Sequence, residues 1–111
     1  MPCQLSPFPS GIRVWTGQTR ANVSMHIEST STVAKLTNAT LNGNALTVTN
    51  DSAFSFTIPG GTSVLRLVVQ SPDGSDHIQL FEDCGGSQQP INGAFPFDPN
   101  DPTRSWQIVA A

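Results

Sequence analysis

His26 and His77 are the two side chains of this 111-residue sequence that can take up and release a proton near neutral pH. Nucleophilic catalysis would need such a base beside a Ser or Cys, with a third group to orient it. Both histidines fall on the polar parity of alternating segments, which predicts that they point to solvent. The sequence contains no Gly-x-Ser-x-Gly elbow, His-Glu-x-x-His pair or phosphate-binding glycine loop. Glu82 and Asp83 are adjacent, and neighbours along a strand face opposite ways, so they make a poor acid/base pair. Surface histidines and solvated acids are the expectation. The chain is not expected to be an enzyme.

Two oxygen-rich loops offer a second chemistry. One carries Asp73, Ser75 and Asp76; the other is Phe97-Asp98-Pro99-Asn100-Asp101-Pro102. Calcium takes six to eight oxygens from carboxylates and carbonyls at alternating loop positions. Asp98, Asn100 and Asp101 meet that need in part and are the better candidate metal ligands. The competing reading is that Asp and Asn are ordinary turn formers. No other cofactor is expected. Cys3 and Cys84 are the only cysteines. Joined as a disulfide, they would pin the N-terminal arm to the loop after a strand at 77–82. The closed loop of about 80 residues would be worth about 4 kcal/mol by chain entropy. The alternative leaves two unpaired thiols. Two cysteines without a C-x-x-C spacing do not make a structural zinc site.

The aromatics supply a third chemistry, that of contact surfaces. Trp106 shares parity with Ile108 and belongs in a core. Trp15 is out of phase with Ile12 and Val14 and in phase with Arg13, which predicts that it faces outward or covers the other side of a sheet. An exposed Trp beside Arg, Asn and Gln can stack on a sugar ring or anchor a protein interface. The alternative places it under the Pro-rich N-terminal arm or a long loop. Phe8, Phe95 and Phe97 flank prolines and should clamp those segments onto the core. Trp15 and Arg13 are thus the first candidate ligand-binding residues, and the loop Phe95–Asp101, with Phe95 and Phe97, is the second.

The elements that must position these groups read as strands. In Ala21–Glu28 the odd positions are apolar and the even ones polar, the signature of a strand with one face buried. Similar alternation runs through Leu46 and Val48, Phe54 to Ile58, and Ile78 and Leu80. Val64–Val69 is nearly continuous and predicts a central strand covered on both faces except near Arg66. Asn42-Gly43 is a strong hairpin signal, because both residues tolerate positive φ. Pro59-Gly60-Gly61 and Pro72-Asp73-Gly74 are links short enough for antiparallel neighbours, the latter as a second hairpin. Residues 85–103 hold Pro90, Pro96, Pro99 and Pro102. Proline cannot donate to a ladder, so this stretch is expected to be a long Pro/Gly-rich loop. The fold class that follows is all-β: an antiparallel β-sandwich, jelly-roll or immunoglobulin-like, of about eight strands. One domain over residues 1–111, with an N-terminal arm at 1–10, fits the length.

Composition narrows the partners. Charged residues make up 12%, against roughly 25% in ordinary domains. A net charge of −3 and a single lysine, Lys35, argue against a nucleic-acid or anionic-membrane partner, which needs clustered Lys and Arg. No apolar run approaches the length of a membrane-spanning helix, so no membrane insertion is expected. Met1–Pro9 lacks the basic and apolar regions of a secretion signal. The low Lys and Glu with abundant Thr, Ser, Asn and Gly nevertheless suit secreted β-modules, and the expected location is extracellular or periplasmic. Asn22-Val23-Ser24, Asn38-Ala39-Thr40 and Asn50-Asp51-Ser52 fit the glycosylation pattern, which a chain this rich in Asn, Ser and Thr also meets by chance.

Phe54-Ser55-Phe56-Thr57-Ile58-Pro59-Gly60-Gly61-Thr62-Ser63-Val64-Leu65-Arg66-Leu67, continued by Pro72-Asp73-Gly74-Ser75-Asp76-His77-Ile78-Gln79-Leu80-Phe81, resembles the middle of bacterial pre-peptidase C-terminal domains. The shared pattern is an aromatic-x-aromatic strand, a Pro-Gly turn, an apolar strand, then an acidic turn into a strand ending in an aromatic. His77 departs from it, since the family places an acidic residue before the apolar pair, and the Pro-rich stretch is an insertion. The resemblance implies a non-catalytic β-sandwich appendage of a secreted enzyme, of a kind that binds polysaccharide or protein. The resemblance bears on fold and secretion more than on function; from the sequence as a whole, two functions are expected. The first is a non-catalytic extracytoplasmic binding module, lectin-like or carbohydrate-binding-module-like, with a glycan or protein ligand. The second is a structural protein, a self-assembling homo-oligomeric subunit of an extracellular or viral particle, with the final strand as a free edge.

Overall fold

Period-two alternation is realised along most strands and lays down two sheets with one shared core. The computed structural model describes residues 3–7, 14–31 and 33–110; Arg13 and Phe8 lie outside them. Ten strands occur among the described residues, and no helix. They are β1 (Ser6–Pro7), β2 (Val14–Gly17), β3 (Asn22–Ser29), β4 (Lys35–Leu41), β5 (Asn44–Ala45), β6 (Ala53–Thr57), β7 (Thr62–Gln70), β8 (His77–Asp83), β9 (Gln88–Pro96) and β10 (Thr103–Ala110). A six-stranded sheet runs β1-β2-β10-β7-β4-β5, and a four-stranded sheet runs β6-β3-β8-β9. The result is an all-β, sandwich-like fold with a radius of gyration of 13.2 Å, close to the roughly 13 Å of a compact chain this long.

The core is what the alternating positions share. Met25, Ile27, Ile78 and Leu80 from the smaller sheet meet Leu65, Leu67, Trp106 and Ile108 from the larger, all buried. Trp15 joins them at 0% exposure and stacks on Trp106 with ring centroids 5.5 Å apart. The outward Trp15 expected from its parity is therefore corrected. In β2 the residue opposite Trp15 is Ile108, and pairing in register puts both on the inner face. The four-residue strand is too short for its own alternation to decide, and the apolar Val14 takes the partly covered outer face.

Five further expectations are revised. β10 pairs with β7 antiparallel but with β2 parallel, so the sheet is not purely antiparallel. β10 thus has neighbours on both sides and offers no free edge. β7 alternates in burial, with Val64 at 42% exposure, so the outer face of its sheet is open and not covered. The links 58–61 and 71–76 are not hairpins within a sheet; each carries the chain from one sheet to the other. Finally, residues 88–96 of the expected loop form β9. An edge strand tolerates Pro90 and Pro96 because one side of its backbone has no ladder to join. The Asn42-Gly43 turn does form between β4 and β5, with φ of 53° and 82°.

The two cysteines are joined: Cys3 and Cys84 form a disulfide. Around it residues 3–5 are docked onto the smaller sheet. The Glu82 carboxylate, 1% exposed, accepts the Gln4 and Leu5 backbone N–H groups at 2.7 and 3.0 Å. Gln89 Nε2 donates to the Leu5 carbonyl at 2.9 Å, and Leu5 is itself buried.

Candidate functional site

Register brings together residues far apart in sequence at one end of the fold. Lys35, the first residue of β4, lies opposite Gln70, the last of β7. The corner Ser71-Pro72 continues from Gln70, and the β9–β10 link 97–102 folds over it. Between them opens a cleft of about 640 Å³ lined by Val33, Lys35, Gln70, Ser71, Pro72, Phe97, Pro99 and Pro102. Its wall is mainly apolar: a phenyl ring, three proline rings and the half-exposed Val33. Lys35, Gln70 and Ser71 add an ammonium, an amide and a hydroxyl. A concave apolar surface with a few fixed polar groups is the usual composition of a small-ligand site.

Asp76 holds this end together. Its carboxylate, 1% exposed, accepts Thr30 Oγ1–H at 2.8 Å, the Ser31 N–H at 3.0 Å and Ser71 Oγ–H at 2.7 Å, and Ser31 Oγ–H as well. Its backbone carbonyl accepts the Phe97 N–H at 2.9 Å. The β3–β4 link, the β7–β8 corner and the β9–β10 link are thereby tied to one residue. Burial alone would raise the Asp76 pKa, but the hydrogen bonds from Ser31, Ser71 and Thr30 outweigh it and hold the carboxyl well below the usual carboxylate range. The 97–102 link is fixed a second time, by the Val69 N–H donating to the Pro102 carbonyl at 3.0 Å.

The expected site residues separate on this geometry. Phe97 lines the cleft. Phe95 does not: it packs on Trp106 with centroids 6.0 Å apart, under the Arg104 guanidinium at 5.2 Å. Trp15 is in the core and presents no ring face to solvent. Asp98 Oδ1 accepts the Asn100 N–H at 2.9 Å, and the Asp98 carbonyl accepts the Asp101 N–H at 3.0 Å. Asp101 pairs with Arg104 at 3.6 Å. These are turn-forming roles for Asp98, Asn100 and Asp101. Among the described residues, one group of three carboxyl, thiol or imidazole side chains lies within metal-binding reach, Cys3, Glu82 and Cys84. Its two sulfurs are bonded to each other and leave no thiolate to ligate.

The histidines keep their expected outward parity. His77 is exposed. His26 has both ring nitrogens engaged, Nδ1 with Asp83 at 2.9 Å and Nε2 with Glu28 at 2.8 Å, so neither nitrogen is turned toward a hydroxyl. Reasoning from the sequence missed Val33, Lys35, Gln70, Ser71 and Pro72 as cleft residues. Pro72 was legible as a turn and Lys35 as the lone lysine, but the strand register that sets Lys35 against Gln70 has no local signal. The sequence matches no protein-family model, and no curated protein or solved structure matches it.

Proposed function

We propose that this chain is a non-catalytic, extracytoplasmic binding module whose ligand is a glycan held in the Phe97 cleft. The observation that carries the reading is the cleft itself, a concave apolar wall bordered by Lys35, Gln70 and Ser71. The apolar face of a sugar ring can lie on Phe97 and the prolines while its hydroxyls meet the amide, hydroxyl and ammonium. Three tethers to Asp76 and one to Val69 fix the walls before any ligand arrives, which lowers the ordering cost of binding. The disulfide supports an oxidising compartment. The segment 54–81, with its resemblance to pre-peptidase C-terminal domains, supports the same role, and we read the two-sheet fold as a sandwich of the jelly-roll or immunoglobulin-like kind. Engagement of both His26 nitrogens by carboxylates supports the absence of catalysis.

A second reading, a self-assembling subunit, draws on a different edge from the one first expected. β6 lies at the rim of its sheet and reads Ala-Phe-Ser-Phe-Thr, with neither proline nor charge to discourage pairing with another copy. A screen on immobilised glycans, run with calcium and then with EDTA, tests the first reading beside light scattering for the second. Wild type is expected to bind as a monomer, with Phe97→Ala and Gln70→Ala each weakening binding about tenfold or more while the thermal transition stays cooperative. Loss of signal in EDTA would add the Asp98–Asp101 turn to the site. A well-folded sample that binds no glycan overturns the glycan reading, and a discrete oligomer points to the second.

A further inference from the structure

His26 stands on the outer face of the smaller sheet in an unusual setting. Its imidazole stacks on Phe81, with centroids 5.3 Å apart and planes 11° from parallel. Asp83 of β8 lies 2.9 Å from Nδ1 and Glu28 of β3 lies 2.8 Å from Nε2. Gln88 of β9 donates its Nε2–H to the same Glu28 carboxylate at 3.2 Å. A neutral imidazole carries one N–H, so it would set a lone pair against one of the two carboxylates. Only the imidazolium can donate to both.

We propose that protonated His26 is an acid-favoured latch that fastens the edge strand β9 to β3 through Glu28 and Gln88, and that loses its hold as the ring deprotonates. The latch spans β8: His26 and Glu28 lie on β3, Asp83 on β8 and Gln88 on β9. Deprotonation removes one of the two N–H donors, frees a carboxylate, and leaves Glu28 less firmly placed to receive Gln88.

The charges around the ring are few. β3 contributes Glu28 and β8 contributes Asp83; Glu82, next along β8, faces inward and is bonded to the Gln4 and Leu5 backbone. Gln88 from β9 is neutral. β6, on the other side of β3, sets Ala53 opposite His26 and brings no charge. Asp51, in the turn before β6, lines the same shallow depression as Glu28 and pairs with Lys35 at 3.9 Å. Burial of the ring by itself lowers the His26 pKa, yet its hydrogen bonds and charge attraction to Glu28 and Asp83 leave it above the ordinary 6.5. Both carboxylates act in the same direction, one on each ring nitrogen.

The test is a proton NMR titration of the imidazole in full-length protein carrying His77→Gln, so that one ring is followed, together with amide exchange of β9 across the same pH range. The His26 midpoint should lie above 6.5, fall in Glu28→Gln and in Asp83→Asn, and fall below 6.5 in the double variant, where burial acts without its partners. Protection factors of the β9 amides should drop as pH passes the His26 midpoint and stay level in His26→Gln. A wild-type midpoint at or below 6.5, a double variant that titrates like wild type, or β9 protection that ignores the midpoint would each overturn the proposal. Gln88→Ala keeps the ionic cluster and removes the link to β9. It should leave the imidazole midpoint near the wild-type value while abolishing the pH response of β9; retention of that response also overturns the latch.

Discussion

Four neutral donors surround the buried carboxylate of Asp76, and their arrangement makes a sharp claim at the scale of one residue. Asp76→Ala would strand the Thr30, Ser31 and Ser71 donors and is expected to cost about 3 kcal/mol by urea unfolding. Asp76→Asn keeps the shape and should cost less. Because the folded pKa is depressed below 3.8, the stabilisation is complete above that value and is lost as pH falls through the lower folded one. Unfolding curves at successive pH values below 4 should therefore decline less steeply in Asp76→Asn than in wild type; equal slopes would assign the acid limb to other groups. The sequence showed Asp76 only as a residue of a turn, in an oxygen-rich loop that could take a hard cation. Of its four donors, three come from Thr30 and Ser31 in another segment and one from Ser71 in its own corner, and nothing local announces a meeting of that kind. The two tryptophans make the same point. Trp106 could be placed because its eight-residue strand repeats its alternation, whereas the short β2 left Trp15 to be placed by its neighbour Ile108.

At the scale of elements, the strands themselves were legible because alternation is a property of consecutive residues. Partners were not. Pro59-Gly60-Gly61 and Pro72-Asp73-Gly74 read as hairpin links, but a short link can turn a corner between sheets as readily as reverse within one, and the burial parity of the flanking strands is the same in both cases. β9 was hidden by its prolines, whose exclusion from central strands lapses at an edge. The N-terminal segment illustrates how a weak element is held. β1 has two residues, and the docking of residues 3–7 relies on Glu82, Gln89 and the Cys3–Cys84 bond. Reduction opens a closure of 81 residues in sequence separation, which chain entropy values at about 4 kcal/mol. Calorimetry with and without reductant should show the transition fall accordingly, and Cys3→Ser with Cys84→Ser should reproduce the fall without reductant. An unchanged transition would mean that Leu5 and the Glu82 contacts hold the segment unaided.

At the scale of the whole molecule, two titrating clusters shape one stability curve: a carboxylate held below its ordinary range and an imidazole held above its own. Asp76 contributes fully above 3.8, and Glu28, whose pKa is lowered chiefly by its hydrogen bond with His26, contributes above 4.5. The raised pKa of His26 works in the other direction: its stabilisation is complete below 6.5 and disappears as pH climbs through the higher folded value. Glu28 and His26 describe a single interaction seen from its two ends, so they count once. The urea midpoint should accordingly be highest between about pH 4.5 and 6.5 and lower at pH 8.5. Salt separates the two limbs. Glu28 and Asp83 have side chains 52% and 43% exposed, so mobile ions screen their attraction to the imidazolium. Asp76 is buried and bonded to neutral hydroxyls and an amide, which ions do not reach. Raising ionic strength should flatten the alkaline limb and the Glu28 part of the acid limb, and leave in place the further decline below 3.8 that Asp76 supplies. If that further decline flattened as well, it would belong to exposed carboxylates rather than to Asp76.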